Sequence, residues 1–257
     1  MQVPKHLPAL RLWLERLQMR SVLSEEEQVA ILHLPCEFID VAANHDFVRL
    51  GEKRRHVCLV AEGLVGRFAQ TAAGARQIFA LHVPGDMADL HSLVAPEASA
   101  GLQALSRSSM LMVSHAALLP LLDLHPRIVH AFWRDCVVDA SILSTWVLNL
   151  GCRPGGARLA HLLCEMAVRY ALIGRGRDLR FELPATQLHL AECTGMTSVH
   201  LNRMMMELRS RGLVRTRTPT IEILDWEGLA DLAGFDANYL YLSPSAAEQV
   251  RLALRLH

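Results

Sequence analysis

The stretch TQLHLAECTGMTSVHLNRMMMELRSRGLV, residues 186–214, decides how this chain is read. It has the layout of two short helices around a tight turn. Thr186 and Thr197 each stand where a helix would begin, and a hydroxyl there accepts a hydrogen bond from a first-turn N–H that has no intrahelical acceptor. Gly195 supplies the turn between them. Leu190 offers a buried anchor, and Ala191 a small contact where two helices approach closely. In the second helix, 198–209, Leu201, Met204, Met205 and Leu208 fall within one sector at about 100° per residue and should face a core. Val199, Asn202, Arg203 and Met206 then point the other way.

An outward face of that composition suits the major groove of duplex DNA, which admits one α-helix. There an arginine can pair with two acceptors of guanine, and a small apolar side chain can meet a thymine methyl. Arg203 and Val199 fit those roles. Thr197, His200 and Gln187, near helix N-termini, suit phosphate oxygens. Downstream, LVRTRTPTIEIL (213–224) offers two short strands around a proline-containing turn, a β-wing whose Arg215 and Arg217 would favour phosphates. Charge is distributed to match. The chain is formally neutral, yet residues 151–220 carry 11 arginines against 5 acidic side chains, while residues 1–150 and 221–257 are each net acidic.

Upstream, from about Phe38 to Ser114, short strand patterns alternate with turn signals. HVCLVA and LVGRFAQ flank Glu62-Gly63, RQIFAL follows TAAGA, and Pro84-Gly85-Asp86 makes another sharp turn, so a small antiparallel barrel or sandwich is predicted. Ser24 opens a helix before it, with acidic residues in the first turn. After Pro126, the residues Val129, Trp133, Cys136, Ala140, Leu143, Val147 and Leu150 form a heptad-like apolar seam. Two occupants of that seam stay open: the chain's own barrel, or a second copy of the chain. Gly151, Pro154, Gly155 and Gly156 break the helix and mark a domain boundary. ARLAHLLCEMAVRYALIG follows as an amphipathic helix, and the loop GRGRD separates it from LRFELP.

The PGD turn, the long helix, RPGGARLAHLL, the two-helix stretch and IEILDWEGLADLAGF together resemble the Crp/Fnr family of bacterial transcription regulators, over about residues 25–240. The resemblance implies an α+β fold. An N-terminal antiparallel β-roll like a cyclic-nucleotide-binding domain, with helices before it, takes residues 1–122. A central dimerisation helix takes 123–150 and a winged helix-turn-helix 151–240, leaving a helical tail at 241–257. It implies a homodimer reading a palindromic site in double-stranded DNA. By position, Arg203 matches the family's guanine-reading arginine, Ser198 and Val199 its other base-reading positions, and Thr197, His200 and Gln187 its backbone contacts. The cyclic-AMP branch places Arg then Glu where this chain has Ser198 and Val199, so a different half-site is expected. The loop Ile173–Asp178 resembles in position the family's RNA-polymerase-contacting loop.

The effector is less legible. Where the cyclic-AMP branch holds the cyclic phosphate with an Arg-Ser pair, this chain has Ala98-Ser99, and a buried phosphate without its cation is costly to desolvate. No cyclic-AMP response is expected. Cys36 stands alone in the first 57 residues, against the cysteine cluster of the iron–sulfur branch. Haem stays open through His56, His82 and His91; otherwise the effector is an unknown small molecule, or none. The six cysteines contain no CxxC pair and read as buried free thiols. His161 and Cys164 on one helix raise an enzymatic alternative, but core packing explains both and no enzyme is expected. A sensing protein acting through protein partners is the other alternative. The longest uncharged run, Ser108–Leu122, has 15 residues, too short for a membrane span, and no signal peptide is legible, so a cytoplasmic protein is expected.

Overall fold

The computed structural model describes residues 6–255. The chain forms two compact units, residues 1–69 with 81–140, and residues 70–80 with 141–257.

The first unit opens with α1 (Leu7–Gln18) and α2 (Glu25–Leu32). Ser24 and Glu27 cap α2 reciprocally: the Ser24 N–H donates to Glu27 Oε2 at 2.7 Å and the Glu27 N–H to Ser24 Oγ at 3.3 Å. Seven strands follow along the chain, of which β5 falls mostly in the segment 70–80 that groups with the second unit: β1 (Cys36–Val41), β2 (His45–Val48), β3 (His56–Glu62), β4 (Val65–Gln70), β5 (Arg76–His82), β6 (Gly101–Ala104) and β7 (Ser108–Ser114). They form two sheets, ordered β1-β7-β3 and β2-β6-β4-β5. Alternation along the strands puts Val41, Val48, Cys58, Val60, Val65, Leu102, Ala104 and Met110 into a shared core. Glycine is obligatory between β3 and β4. Gly63 has φ +88°, and a Cβ there would lie 2.8 Å from Ser108 Cα. A second core lies outside the roll, where Trp13 packs against Phe132 with ring centroids 5.3 Å apart.

After α3 (His115–Leu124), α4 runs unbroken over Pro126–Cys152. Its buried row is Ile128, Ala131, Phe132, Val138, Ile142 and Trp146. The seam expected from sequence lies beside that row. Val129, Cys136, Leu143 and Leu150 are half-buried, while Trp133, Ala140 and Val147 are exposed. The chain's own core therefore takes a different face of α4 from the one the heptad count picks out. Two apolar rows share this helix, and periodicity alone does not say which one the chain keeps for itself.

In the second unit Gly155 and Gly156 do not break a helix but start one, α5 (Gly155–Leu172). Gly155 lets the helix-turn-helix come close: a Cβ there would sit 3.0 Å from Met196 Sδ and 3.1 Å from His200 Nε2. Instead of one apolar side, α5 is buried almost all round, as a helix enclosed by other elements must be. Packed on α5 are β8 (Gly176–Arg177), β9 (Arg180–Glu182), α6 (Gln187–Thr194), α7 (Ser198–Ser210), α8 (Trp226–Ala233) and α9 (Pro244–Leu254), and the unit is completed by β10 (Val214–Arg217) and β11 (Thr220–Ile223). The four strands make one sheet ordered β10-β11-β9-β8. At the centre of the unit the buried Glu165 carboxylate accepts from Trp146 Nε1 (2.9 Å), the Tyr239 hydroxyl (2.9 Å) and Arg169 Nη1 (3.0 Å).

Of the cysteines, Cys58, Cys164 and Cys193 are buried, Cys36 and Cys136 half-buried, and Cys152 exposed; all are free thiols. The expectation of buried thiols fails at Cys152, which lies at the C-terminal end of α4.

Candidate nucleic-acid interface

Local chemistry builds the two-helix element. Thr186 caps α6, its hydroxyl accepting from the His189 N–H at 3.2 Å, while the Thr186 N–H donates to His189 Nδ1 at 3.2 Å. That acceptor role requires neutral imidazole. Burial, and then the Arg76 charge, hold the His189 pKa below its ordinary value. Gly195 ends α6 in the left-handed region, φ +61°, and Thr197 caps α7 by accepting from the His200 N–H at 3.2 Å. Leu190, Ala191, Leu201 and Leu208 are buried as expected. Met204 and Met205 are only half-buried, so the two leucines, one turn either side of them, form the anchors of α7.

The opposite side of α7 is open. Val199 is 82% exposed, Met206 60% exposed, and Asn202 and Arg203 are exposed with them. Arg203 makes no ion pair among the described residues. Asn202 is held: its Nδ2 donates to Gln187 Oε1, on the first residue of α6, at 2.9 Å. The structure thus joins two residues that the sequence suggested separately. Ser198 and His200 are half-buried at the start of α7, and Thr197 is exposed.

The wing is β10 and β11, in antiparallel register from Val214↔Ile223 to Arg217↔Thr220. Arg215 spends its charge within the wing, on Glu222 at 2.7 Å, whereas Arg217 is exposed and unpaired among the described residues. Sequence reading missed the rest of this sheet. β11 also pairs with β9, Ile221 opposite Phe181, so the segment LRFELP belongs to the wing. The signal was present in the matched alternation of Phe181, Ile221 and Ile223, all buried.

In the roll, Ala98 is buried and Ser99 exposed. The arginines nearest the interior are committed to the chain's own acceptors. Arg54 Nε donates to Asp89 Oδ2 (3.3 Å) and its Nη1 to Glu52 Oε1 (2.8 Å); Arg67 Nη1 donates to Asp139 Oδ2 (2.7 Å) and its Nη2 to the Ala88 carbonyl. Asp89 also accepts from the Cys58 N–H at 2.6 Å. His82 is buried, His56 and His91 half-buried, and burial lowers the His91 pKa. No group of three His, Cys, Asp or Glu side chains is placed to hold a metal ion among the described residues. His161 and Cys164 lie in the core, His161 against Phe235 and Tyr239 at centroid distances of 5.2 and 5.7 Å, and burial pushes the Cys164 thiol well up.

Comparison with known proteins places both halves. Residues 38–125 match the family described as cyclic nucleotide-binding domain, and residues 157–232 match the Crp-like helix-turn-helix domain. The chain belongs to the Crp/Fnr family of transcription regulators. Among curated relatives, this Crp/Fnr regulator is 24% identical over 186 residues to the transcriptional activator protein FnrA of Stutzerimonas stutzeri, covering 72% of this chain and 76% of that one. To the anaerobic regulatory protein of Haemophilus influenzae it is 21% identical, covering 72% of each. Its fold is similar to that of FixK2 from Bradyrhizobium japonicum, with TM-score 0.72 and 21% identity over 79% of this chain and all of that one. It is also similar to that of a CRP-family regulator from Thermus thermophilus, with TM-score 0.61 and 19% identity over 77% of this chain and 97% of that one. A regulator of this family binds DNA through its helix-turn-helix, and homodimerisation and effector modulation are typical of the family. In this Crp/Fnr regulator no described helix is long and apolar enough to cross a membrane.

Proposed function

We propose that this regulator acts as a cytoplasmic homodimer that reads a palindromic DNA site, one α7 in the major groove of each half-site. One observation carries the reading: α7 buries Leu201 and Leu208 and leaves Val199, Asn202, Arg203 and Met206 facing solvent. Arg203 is the guanine reader, through two parallel N–H donors, and Val199 meets a thymine methyl. Asn202 reads adenine. One of its Nδ2 hydrogens is taken by Gln187, and the other, with the side-chain carbonyl, forms the donor–acceptor pair that adenine presents. Ser198 flanks the base edges, while Thr197, His200 and Arg217 lie against phosphates, with Arg215 when it leaves Glu222.

The two copies join along the second apolar row of α4, with the exposed Trp133, Ala140 and Val147 and the half-buried Val129, Cys136, Leu143 and Leu150 in the seam. That brings the two recognition helices to successive major grooves, about 34 Å apart. The ion pairs of Arg54 and Arg67 favour an effector other than cyclic AMP, or none, because a cyclic phosphate would have to displace Asp89 or Asp139 from its arginine. The loop 173–178 is the candidate contact to RNA polymerase.

The test is selection of bound duplex from a random pool by the purified protein. The expected product is a palindrome with a guanine lost in the Arg203→Ala variant, at a cost of about 1–3 kcal/mol. Enrichment of no sequence, or an unchanged product from Arg203→Ala, overturns the reading.

A further inference from the structure

The sheet that carries the wing has an outer face that base reading leaves unused. Its register aligns Arg215 of β10 with Glu222 of β11, Glu222 with Arg180 of β9, and Arg180 with Arg177 of β8. Directly paired residues share a face, so one rung across four strands reads Arg-Glu-Arg-Arg. The next rung on that face holds Arg217, Thr220 and Glu182. The other face, with Val214, Ile221, Ile223 and Phe181, is buried. All four arginines are exposed, and Arg180, Arg215, Arg217, Thr220 and Glu222 line a shallow open depression.

The two outer arginines are held in an unfavourable arrangement. Arg177 and Arg180 face each other directly across the two-residue turn Asp178-Leu179, and like charges so placed destabilise a ladder. Both turn residues have positive φ, 51° and 59°, at positions with a Cβ. The hairpin cannot swing away to relieve the repulsion, because the Ile223 N–H donates to the Leu179 carbonyl (2.8 Å) and the Asp178 N–H to the Ala253 carbonyl (2.9 Å). Of the nearby acids, Glu222 is engaged by Arg215 and Asp178 by Arg255, while Glu182, two residues along β9 from Arg180, makes no ion pair among the described residues and leaves this face with four arginines against two carboxylates. Among the described residues neither Arg177 nor Arg180 has an ion pair.

We propose that this sheet face tracks DNA phosphates beyond the half-site read by α7, with Arg180 and, at the end of the loop 173–178, Arg177 continuing along the backbone from the wing's Arg217, which leaves the earlier residues of that loop for the polymerase contact. The inference rests on the DNA-binding reading above and adds a second, sequence-neutral contact surface to it. Four strands at about 4.8 Å spacing span roughly 14 Å, the axial length of about four phosphates on one strand at 3.4 Å each. Phosphate contacts of this kind set affinity and register but carry no base information.

The experiment measures affinity across a salt series for two duplexes: the site selected from the random pool, trimmed to its palindrome, and the same site with ten base pairs of random sequence on each side. The wild-type protein should bind the flanked duplex more tightly and with a steeper dependence of log K on log salt. The Arg177→Ala/Arg180→Ala variant should lose that gain, its slope on the flanked duplex falling by about 0.9 for each phosphate contact removed, while selecting the same sequence. The Arg177→Lys/Arg180→Lys variant, which keeps the charge, should keep the slope. An alanine variant with wild-type slope and affinity on flanked DNA overturns the proposal and leaves these arginines to an acidic protein partner or to solvent. Arg203→Ala separates the two readings: lost sequence preference with the flank effect intact supports both, whereas a wild-type protein that selects no site removes the DNA-binding reading and this one with it.

Discussion

Asn202 and Gln187, fifteen residues apart on α7 and α6, share a hydrogen bond of 2.9 Å at the exposed rim of the helix-turn-helix. It fixes the amide plane of Asn202 without using its carbonyl. Gln187→Ala should free that amide to rotate and flatten the base preference at the adenine position, by about 1 kcal/mol against the other bases, with guanine selection by Arg203 unchanged. Gln187→Glu keeps the acceptor and should keep the adenine preference, at lower overall affinity, because it brings a carboxylate towards phosphates. Selection from a random pool with each variant decides; an unaltered profile in Gln187→Ala would show that Asn202 needs no buttress.

The helix-turn-helix was legible in the sequence because its signals are local. Two threonine caps, one left-handed glycine and two leucines one heptad apart all act within a turn or two of the chain. The β8–β9 hairpin was not, because its partner β11 lies some 40 residues downstream, and its turn is Asp178-Leu179 rather than the glycine-containing pair that usually marks such a hairpin. On α4 the difficulty was excess of signal. The row from Val129 to Leu150 and the row from Ile128 to Trp146 are both apolar at helical spacing, and only packing tells them apart.

Those two rows respond differently to substitution. Trp133 is 64% exposed and Val147 63%, so Trp133→Glu/Val147→Glu should change the unfolding free energy of one protomer by no more than about 0.5 kcal/mol per site while splitting the dimer. Phe132→Ala, one residue from Trp133 but buried against Trp13, should cost about 3–5 kcal/mol in folding. Sedimentation and urea unfolding of the pair check this. A Trp133→Glu/Val147→Glu protein that remains dimeric would exclude α4 as the seam.

Glu165 ties Trp146 of α4, Arg169 of its own helix and Tyr239 beyond α8 into one buried group. Removing the carboxylate takes the ion-pair partner from Arg169 and the acceptor from Trp146 Nε1 and the Tyr239 hydroxyl. Glu165→Ala should therefore destabilise the protein by about 3–5 kcal/mol. Tyr239→Phe removes one bond of the three and should cost about 1–2 kcal/mol. Chemical denaturation ranks the two, and equal losses would mean that Tyr239 rather than the carboxylate organises the group.

His161 sets a limit on stability in acid. Burial, and secondarily the Arg153 charge, push its pKa down to about 4 from an ordinary value near 6.5. Its Nδ1 lies 3.0 Å from Asn149 Nδ2, which donates to it, an arrangement that neutral imidazole allows and a proton on Nδ1 would break. Between pH 4 and 6.5 the unfolded chain therefore binds more protons than the folded one at this site, and stability rises with pH. The contribution is complete above about pH 6.5 and is lost as pH falls towards 4, on the order of 3 kcal/mol in all. Urea unfolding at pH 7 and pH 4.5 should show this loss in the wild type and a smaller one in His161→Phe, in which the ring contacts with Phe235 and Tyr239 survive but no proton can be taken up. The same pH dependence in both proteins would assign the acid sensitivity to another group.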